Sequence, residues 1–262
     1  MDKSLKIQIA GYGFVGKVHA LSLDDTKTLV TIYDPALGFE NWQEDADCYI
    51  IAVSTPQGED GSCDMSNVYD ILERCPNAPI LIKSTISLEG WDLISRRFPD
   101  HKITFSPEYL RAEHALEDFK KQTTIQLGGG DVTFWVQLFS SKLNCKLEVA
   151  NPEELILAKY IVNSFLATKV AFFNQVYDLC NASGVDYGLV SHLVTQDRRI
   201  GKSHTLITPE RGFGGHCFPK DTSAICMTGK KYGKSMTIIE TARNYNSQIR
   251  MDRTNVVNLK RV

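Results

Sequence analysis

Short apolar runs alternate with longer amphipathic stretches through the first half of the 262-residue chain. The runs are rich in isoleucine, valine and leucine, as is typical of strands that are buried on both faces. Strands are predicted over residues 5–10, 29–33, 47–53, 79–83, 102–105 and 123–127. Strands that alternate with helices indicate a parallel sheet with helices on both faces. The pattern therefore predicts a doubly wound α/β domain over residues 1–149.

The second half contains one much longer amphipathic stretch, which starts at Asn151-Pro152-Glu153-Glu154. Asparagine as N-cap, proline at the first helical position and glutamate at the third predict a helix start. The apolar pattern continues to a stop signal at Asn181 to Gly184, which gives about 30 residues, or about 45 Å of helix. A closing helix is predicted from Met236 into Val256. Residues 150–262 are thus predicted to form a helical domain, and the long helix is apolar enough on more than one face to form a homodimer.

A glycine-rich loop, Gly11-Tyr12-Gly13-Phe14-Val15-Gly16, follows the first predicted strand and precedes a predicted helix. In this context the first glycine permits a tight turn, the second admits a pyrophosphate, and the third lets the helix pack on the strand. Asp34 lies 18 residues beyond Gly16, at the end of the second strand. Its carboxylate would accept hydrogen bonds from a ribose 2′-OH, which favours NAD over NADP. The loop predicts a Rossmann-type NAD site, and a tight turn without a ligand is the alternative.

Three further polar residues follow predicted strands, namely Thr55, Thr85 and Glu108. Ligands of open parallel sheets bind beyond the carboxyl ends of the strands, so we expect these side chains to point toward one crevice. For either hydroxyl alone, a role as a cap or turn residue is an equally good interpretation.

The stretch Gly212-Phe213-Gly214-Gly215-His216-Cys217-Phe218-Pro219-Lys220-Asp221 concentrates reactive groups. Glycines allow the backbone to approach a ligand closely, and Lys220 and His216 would favour the thiolate of Cys217. A glycine-rich turn with an incidental thiol is the alternative. Lys159 and Asn163 lie one turn apart on the long helix and share a face, which makes them a candidate polarising pair. Ordinary solvated side chains are the alternative for this pair.

Composition narrows the classes of function. The net charge is −2, which predicts neither a nucleic-acid footprint nor a membrane-surface patch. No uninterrupted apolar run approaches the roughly 20 residues that span a bilayer, and no signal-peptide pattern precedes the first strand. The seven cysteines are scattered without CxxC pairs, which argues against a disulfide framework and a zinc site. We therefore expect a cytoplasmic protein with reduced thiols, no metal, and neither nucleic-acid nor membrane partners.

Taken together, these stretches resemble the UDP-glucose/GDP-mannose dehydrogenase family. In chain order the matching segments are Ile9–Gly16, Val53–Pro56 with Asp64–Ser66, Lys83–Thr85, Ser106–Arg111, Ala158–Asn163, Arg199–Gly201 and Gly212–Asp221. The last segment is close to the signature of the family, whereas the glycine loop is widely shared. The resemblance implies NAD-dependent oxidation of the C6 alcohol of a nucleotide-sugar to the carboxylate, in two hydride transfers.

The resemblance also implies roles for individual residues. Cys217 would attack the aldehyde intermediate to give a thiohemiacetal that is then oxidised to a thioester. Lys159 and Asn163 would stabilise the developing oxyanion, and Glu108 would be the general base for thioester hydrolysis. Asp221 and Thr85 would position the base or the water. The implied cofactor contacts are Gly11, Tyr12, Gly13, Phe14, Val15, Gly16, Asp34, Thr55, Thr85 and Lys220, and the implied substrate contacts are Glu108, Tyr109, Leu110, Lys159, Asn163, Arg199 and Gly214.

Departures from the family pattern leave alternatives open. Ala112 stands where family members carry a second glutamate, and Glu210 stands where a glycine is expected before the signature. The family has a third, C-terminal domain that binds much of the nucleotide, and this sequence is expected to lack it. One alternative is a two-electron dehydrogenase of the β-hydroxyacid type, which needs no cysteine. The non-enzymatic alternative is a truncated NAD- or sugar-nucleotide-binding protein, which the retention of Cys217 and its predicted partners opposes.

Overall fold

The computed structural model describes residues 4–250, and the chain divides into two compact units. The first unit comprises the chain up to Gly58 together with Cys63–Lys159. The second comprises Glu59–Ser62 together with the chain from Tyr160 onward. The predicted division after residue 149 falls just before the long helix, and that boundary stays a prediction.

Within the described residues of the first unit, seven strands form one sheet in the order β2-β1-β3-β4-β5-β6-β7. The strands are β1 (Leu5–Ala10), β2 (Thr28–Tyr33), β3 (Cys48–Ile51), β4 (Pro79–Ile82), β5 (Lys102–Phe105), β6 (Thr124–Gly129) and β7 (Lys146–Val149). The six predicted strands are confirmed, with ends that move by two residues at most. β7 was not predicted, because four alternating residues are too few to distinguish a strand from a loop.

Five helices accompany the sheet in the described part of this unit. They are α1 (Phe14–Leu23), α2 (Ser66–Leu72), α3 (Leu88–Arg97), α4 (Ala115–Lys121) and α5 (Val132–Lys142). Side-chain caps fix the starts of two of them, since Ser87 accepts from the N–H of Gly90 and Asp131 accepts from the N–H of Phe134. The fully buried members of the core join the sheet to α1 and α5, and they are Ile7, Ile9, Leu23, Cys48, Ile50, Leu81, Leu127, Trp135 and Phe139. The α/β fold class is therefore confirmed.

The expectation of a parallel sheet is wrong at one place, because β6 runs antiparallel to β5. After β5 the chain makes α4, whose seven residues span only about 10 Å and do not carry it to the opposite edge of the sheet. β6 therefore starts from the edge at which β5 ends. A Cβ at Gly129 or Gly130 would lie within 2.8 Å of the backbone of Ile103, so only glycine permits this close pairing.

The second unit is helical. The long helix α6 (Pro152–Ser183) begins in the first unit, and its residues from Tyr160 on belong to the second. It is followed by α7 (Tyr187–Val194), α8 (Cys217–Lys231) and α9 (Thr237–Ile249). The sequence predicted neither α7 nor the start of α8 at the cysteine. The closing helix is confirmed from residue 237, and its predicted extension to Val256 lies outside the described residues.

The predicted ends of α6 are confirmed. At its start, the N–H of Asn151 donates to Oε2 of Glu154 over 3.1 Å, which is the reciprocal half of a capping box. At its end, Gly184 adopts a φ of 70°, and the N–H of Val185 donates to the carbonyl of Cys180 over 2.9 Å. This is the bond of a Schellman C-cap. Local signals therefore determine both ends of the helix.

Among the described helices, α6 is long and apolar enough to cross a membrane when only length and composition are considered. The expectation that no uninterrupted apolar run spans a bilayer stands, because α6 passes this test only through the mean hydropathy of a window that includes polar residues. Core helices of soluble proteins pass the same test, and 44% of its most apolar window is buried within the protein. The property is therefore weak evidence of a membrane span.

Candidate active site

The glycine loop lies between β1 and α1, where the neighbouring strands β2 and β3 flank β1 on opposite sides. Gly11 has a φ of 92°, and a Cβ there would lie 2.5 Å from the carbonyl oxygen of Ala52. A Cβ on Gly16 would overlap the carbonyl oxygen of Gly11 itself. Both glycines are thus required by the protein's own backbone, the first for the turn and the other for packing of the helix on the strand.

The middle glycine of the loop differs from the other two. No atom lies within 4 Å of the position that a Cβ on Gly13 would occupy. Gly13 is also the N-cap of α1, which has no side-chain cap. An uncapped helix N-terminus beside open space is suited to a phosphate group. The loop therefore fits the pyrophosphate of NAD, and Tyr12, Phe14 and Val15 are at least partly exposed around it; their contacts with the cofactor stay a prediction.

Asp34 follows β2 and lies beside the loop. Its Oδ2 accepts a 2.7 Å hydrogen bond from the N–H of Tyr12, which fixes the half-buried carboxylate next to the glycines. This position suits a ribose hydroxyl. Of the two predicted hydroxyl residues, Thr55 is buried after β3, and Thr85 is half-buried after β4, where its carbonyl accepts from the thiol of Cys63 over 3.5 Å.

Glu108, after β5, is buried and has charged or polar partners at both carboxylate oxygens. Oε2 lies 3.2 Å from Nε2 of His19 in α1 and 3.1 Å from Nζ of Lys83 at the end of β4. Oε1 accepts from the N–H of Tyr109 over 3.1 Å. Lys83 also donates to Oγ of Ser106 over 3.0 Å. Three elements of the first unit therefore meet at this carboxylate.

Burial, charge and hydrogen bonds shift the pKa values in this cluster in opposite directions. Burial alone would raise the pKa of Glu108, but the charge of Lys83 and the hydrogen bond from His19 outweigh burial and hold that pKa at about 2. Burial lowers the pKa of His19, and the charge of Lys83 adds to this effect against the hydrogen bond to Glu108. At neutral pH Glu108 is therefore ionised and His19 is neutral. The sequence analysis did not identify His19 or Lys83 as a partner of Glu108. Each of them stood out only as a polar residue within an apolar pattern.

Lys159 meets the same segment from α6. Its ammonium donates to the backbone carbonyl of Glu108 and lies 5.0 Å from the ring centroid of Tyr109. The Tyr109 hydroxyl donates to Oε1 of Gln126 over 3.1 Å, and burial raises the pKa of this tyrosine. Leu110 is partly buried and packs against the cluster of Val18, Ala115 and Phe119. The first unit thus gathers four predicted substrate residues, namely Glu108, Tyr109, Leu110 and Lys159.

In the second unit, Cys217 is the first residue of α8 and is half-buried. Asp221 lies one turn later and is 1% exposed. Its Oδ2 accepts from Nδ2 of Asn163 and its Oδ1 from Nζ of Lys220, each over 2.6 Å. The charge of Lys220 is therefore paired with Asp221. The sequence analysis had expected this charge to act on the thiol of Cys217.

The glycine stretch before Cys217 is held by side chains of α6 and α9. The N–H of Gly212, whose φ is 55°, donates to Oδ1 of Asn174 over 3.1 Å. Asn246 pairs with the backbone of Phe213, accepting its N–H over 2.6 Å and donating to its carbonyl over 3.0 Å. A Cβ on Gly214 would overlap the guanidinium of Arg250. The loop conformation thus depends on two asparagines that the sequence did not single out.

Arg199 lies in the predicted charged turn before the glycine stretch. Its Nε donates to Oδ1 of Asp197 in the same turn over 3.0 Å, and 89% of its side chain is exposed. The structure therefore does not bring Arg199 to the cluster of Asn163 and Asp221.

An open α/β sheet with this glycine loop and Asp34 after β2 defines the first unit as a dinucleotide-binding domain of the dehydrogenase class. The sequence profile of the NAD binding domain of the UDP-glucose/GDP-mannose dehydrogenase family matches residues 36–137, and that of the family's central domain matches residues 154–248. The chain belongs to this family, and its cofactor is NAD. The glycine loop and Asp34 precede the matched range, so their assignment rests on the geometry above.

Relatives of known function are similar along most of the chain. The UDP-glucose 6-dehydrogenase of Bacillus subtilis is 27% identical over 84% of this chain and 61% of its own length. That of Pseudomonas aeruginosa is 30% identical over 78% of this chain and 49% of its own length. A UDP-glucose dehydrogenase structure from Pyrobaculum islandicum superposes with a TM-score of 0.81 at 28% identity, covering 94% of this chain and 69% of that one. The chain thus spans about half to two thirds of these relatives.

Proposed function

We propose that the protein uses NAD to oxidise the primary alcohol of a nucleotide-sugar to the carboxylate, with Cys217 as the nucleophile. The observation that carries this proposal is the buried bond of 2.6 Å between Asn163 and Asp221, one helical turn from Cys217. It supports a cluster in which the thiol, an amide donor and a fixed carboxylate act together. The similar proteins are named UDP-glucose 6-dehydrogenases, so UDP-glucose is the first substrate to test.

The first unit would bind and orient the cofactor. Backbone N–H groups at the start of α1 would hold the pyrophosphate beside Gly13, and Asp34 would accept a ribose hydroxyl. When bound, NAD supplies the acceptor for the hydride that leaves the substrate carbon in each oxidation. In the first oxidation the hydroxyl proton would pass to a water molecule, and Lys159 and Asn163 would donate hydrogen bonds to the substrate oxygen as its negative charge develops.

Cys217 would carry the second half of the reaction. Its sulfur bonds to the aldehyde carbon, and the carbonyl oxygen takes up a proton to give a thiohemiacetal. Loss of hydride, with transfer of that proton to water, would give a thioester. Water then adds to the thioester carbon, the carbon–sulfur bond breaks, and the products are the carboxylic acid and the thiol of Cys217.

Glu108 would accept a hydrogen bond from the attacking water. Its pKa of about 2 makes it a weak base, so it orients the water more effectively than it removes a proton. The departing sulfur of Cys217 would be the final proton acceptor, because hydrolysis of the thioester returns it as the thiol. Asp221 and Thr85 would fix the positions of these groups, and Lys220, paired with Asp221, would contact the cofactor.

The assembly that we propose is a homodimer through α6 in the cytoplasm, where the thiols stay reduced. Ile161, Phe165, Phe172 and Leu179 are spaced along one face of this helix, and between 55% and 68% of each is exposed. A continuous apolar face of this kind on a monomer marks an interaction surface. A second copy of the same helix would cover it, and the nucleotide-sugar contact of Arg199 would then lie at or near the interface.

Trapping the acyl-enzyme tests the assignment of the nucleophile. Glu108→Gln should slow hydrolysis, so intact-protein mass spectrometry after incubation with NAD⁺ and UDP-glucose should detect an acyl adduct on Cys217. The adduct should disappear in the double variant with Cys217→Ser and persist in the double variant with Cys145→Ser, a half-buried thiol in the first unit. Turnover to the acid by Cys217→Ser at the wild-type rate would overturn the proposal.

A further inference from the structure

His19 is a fully buried histidine on α1, the helix that starts at the cofactor loop. Its ring lies 5.0 Å from the ring centroid of Phe119 and 6.2 Å from that of Phe139. On its other side, Nε2 lies 3.2 Å from Oε2 of Glu108. Nδ1 is buried and has no hydrogen-bond partner among the described residues. The imidazole thus has a single polar contact, and that contact is to Glu108.

The chemistry of the pair fixes the tautomer. An ionised carboxylate only accepts hydrogen bonds, so the neutral imidazole must carry its proton on Nε2 and donate it to Glu108. Nδ1 then keeps a lone pair that is desolvated against aromatic rings, which is unfavourable. An apolar side chain of similar size would avoid this cost. The imidazole is therefore placed for its single donor and not for packing.

The two oxygens of Glu108 are used unequally. Oε2 meets both His19 and Lys83, whereas Oε1 receives only the N–H of Tyr109. Each carboxylate oxygen has about two lone-pair sites, so Oε1 retains capacity for one more donor. Because both oxygens belong to one rigid carboxylate, a donor that fixes the position of Oε2 also fixes the direction of Oε1.

We propose that His19 is a positioning residue that holds Oε2 of Glu108 through its Nε2–H, so that Oε1 is the oxygen that meets the attacking water. The role of the water rests on the function proposed above, whereas the hold on Oε2 is a property of the first unit alone. His19 thereby links α1, which binds the cofactor, to the group that orients the water.

Lys83 does not provide this orientation by itself. Its ammonium is shared among Oε2 of Glu108, Oγ of Ser106 and the carbonyl of Pro107, and such a group donates in no fixed plane. The other ionisable groups that face Glu108 are Lys159 from α6, which binds its carbonyl, and the neighbouring Tyr109. Of these groups, His19 is the planar donor.

The direct test is a carboxyl ¹³C NMR titration of Glu108, assigned by its loss in Glu108→Gln. His19→Leu should raise the pKa of Glu108 by about one pH unit or more, because a hydrogen bond to the charged form is lost. His19→Gln, whose amide nitrogen reaches the position of Nε2, should restore the wild-type value. His192→Gln, a change at an exposed histidine of α7, is the matched control and should change nothing. An unchanged titration in His19→Leu would overturn the proposal.

Kinetics separate this inference from the proposed function. In single-turnover experiments, His19→Leu should slow acid release at least about tenfold at unchanged KM and NAD⁺ affinity, and His19→Gln should recover most of the rate. If His19→Leu does not fold, His19→Asn takes its place, since its shorter amide does not reach Oε2. A titration shift without acid formation from any nucleotide-sugar would refute the function and leave the hold on Oε2 standing. Normal acid release in a variant with a shifted titration would refute the positioning role alone.

Discussion

The side-chain amide of Asn163 donates a 2.6 Å hydrogen bond to Asp221, and this bond joins α6 to α8 at a buried carboxylate. Cys217 lies one turn before Asp221 at the start of the same helix. Because residues four apart share a helix face, the thiol and the carboxylate face the same side. The proposed reaction depends on this arrangement.

Removing the amide should weaken both stability and turnover. Asn163→Ala leaves Asp221 buried with Lys220 as its remaining partner, and we expect a loss of about 1–3 kcal/mol in the free energy of unfolding. Urea unfolding measures this loss. Asn181→Ala, at an exposed asparagine near the end of α6, is the control and should stay within about 0.5 kcal/mol of wild type. Equal stability of Asn163→Ala and wild type would show that the bond does not hold the cluster.

Two glycines of the cofactor loop should respond in opposite ways to the same change. Gly13→Ala should fold normally, since its φ of −67° suits alanine and no atom lies within 4 Å of the new methyl group. NAD⁺ affinity should fall at least about tenfold, because the methyl occupies the approach of the pyrophosphate. Gly16→Ala should instead lose more than about 2 kcal/mol of stability, because its methyl overlaps the Gly11 carbonyl.

Calorimetric NAD⁺ binding and thermal unfolding distinguish these effects. Wild-type NAD⁺ affinity in Gly13→Ala would place the pyrophosphate elsewhere and remove the basis for the cofactor assignment.

Locally encoded features could be predicted from the sequence. The strands required only short apolar runs, and the ends of α6 followed from Asn151, Pro152 and Gly184, whose effects act within a few residues. The predicted direction of β6 was wrong. The direction of this strand depends on how far α4 carries the chain, and the sequences of β5 and β6 do not encode that distance. The start of α8 at Cys217 was missed because the glycines before it masked the helical pattern.

The polar partners of the candidate site residues could not be predicted from the sequence. His19 and Glu108 are 89 positions apart, and no periodicity relates them. Asn174 and Asn246 reach the glycine stretch from helices that are distant in sequence. Such contacts arise when elements pack, so residue types alone identified the candidate groups but not what orients them.

Stability should depend on pH through the cluster around Glu108. Burial lowers the pKa of His19 from its ordinary 6.5. The stability that the neutral imidazole contributes is therefore fully present above pH 6.5 and is lost as the pH falls below 6.5. The pKa of Glu108 is lowered from 4.5 to about 2, so its contribution is lost in the lower window between those values. His19→Gln should therefore remove part of the stability loss between about pH 7 and about pH 5. Urea unfolding across this range measures the effect, and identical pH profiles for variant and wild type would contradict it.

A charge on the apolar face of α6 should dissociate the proposed homodimer. Phe165 is 66% exposed, so Phe165→Glu should leave the monomer folded while burying an unpaired carboxylate in the dimer. Sedimentation equilibrium should give a dimer for wild type and a monomer for the variant. Leu93→Glu, at a 46% exposed leucine of α3, is the control and should remain dimeric. A wild-type monomer at every concentration would remove the homodimer from the account.

The proposed four-electron oxidation can be measured as the number of NADH molecules formed per nucleotide-sugar consumed. The measurement combines NADH absorbance with quantification of the acid formed from limiting UDP-glucose, and extends to other nucleotide-sugars. Oxidation through a thioester on Cys217 predicts two NADH per substrate and a carboxylate product. One NADH per substrate would indicate a two-electron dehydrogenase, and NAD⁺ binding without any NADH from the whole panel would indicate a binding protein; either result would contradict the account.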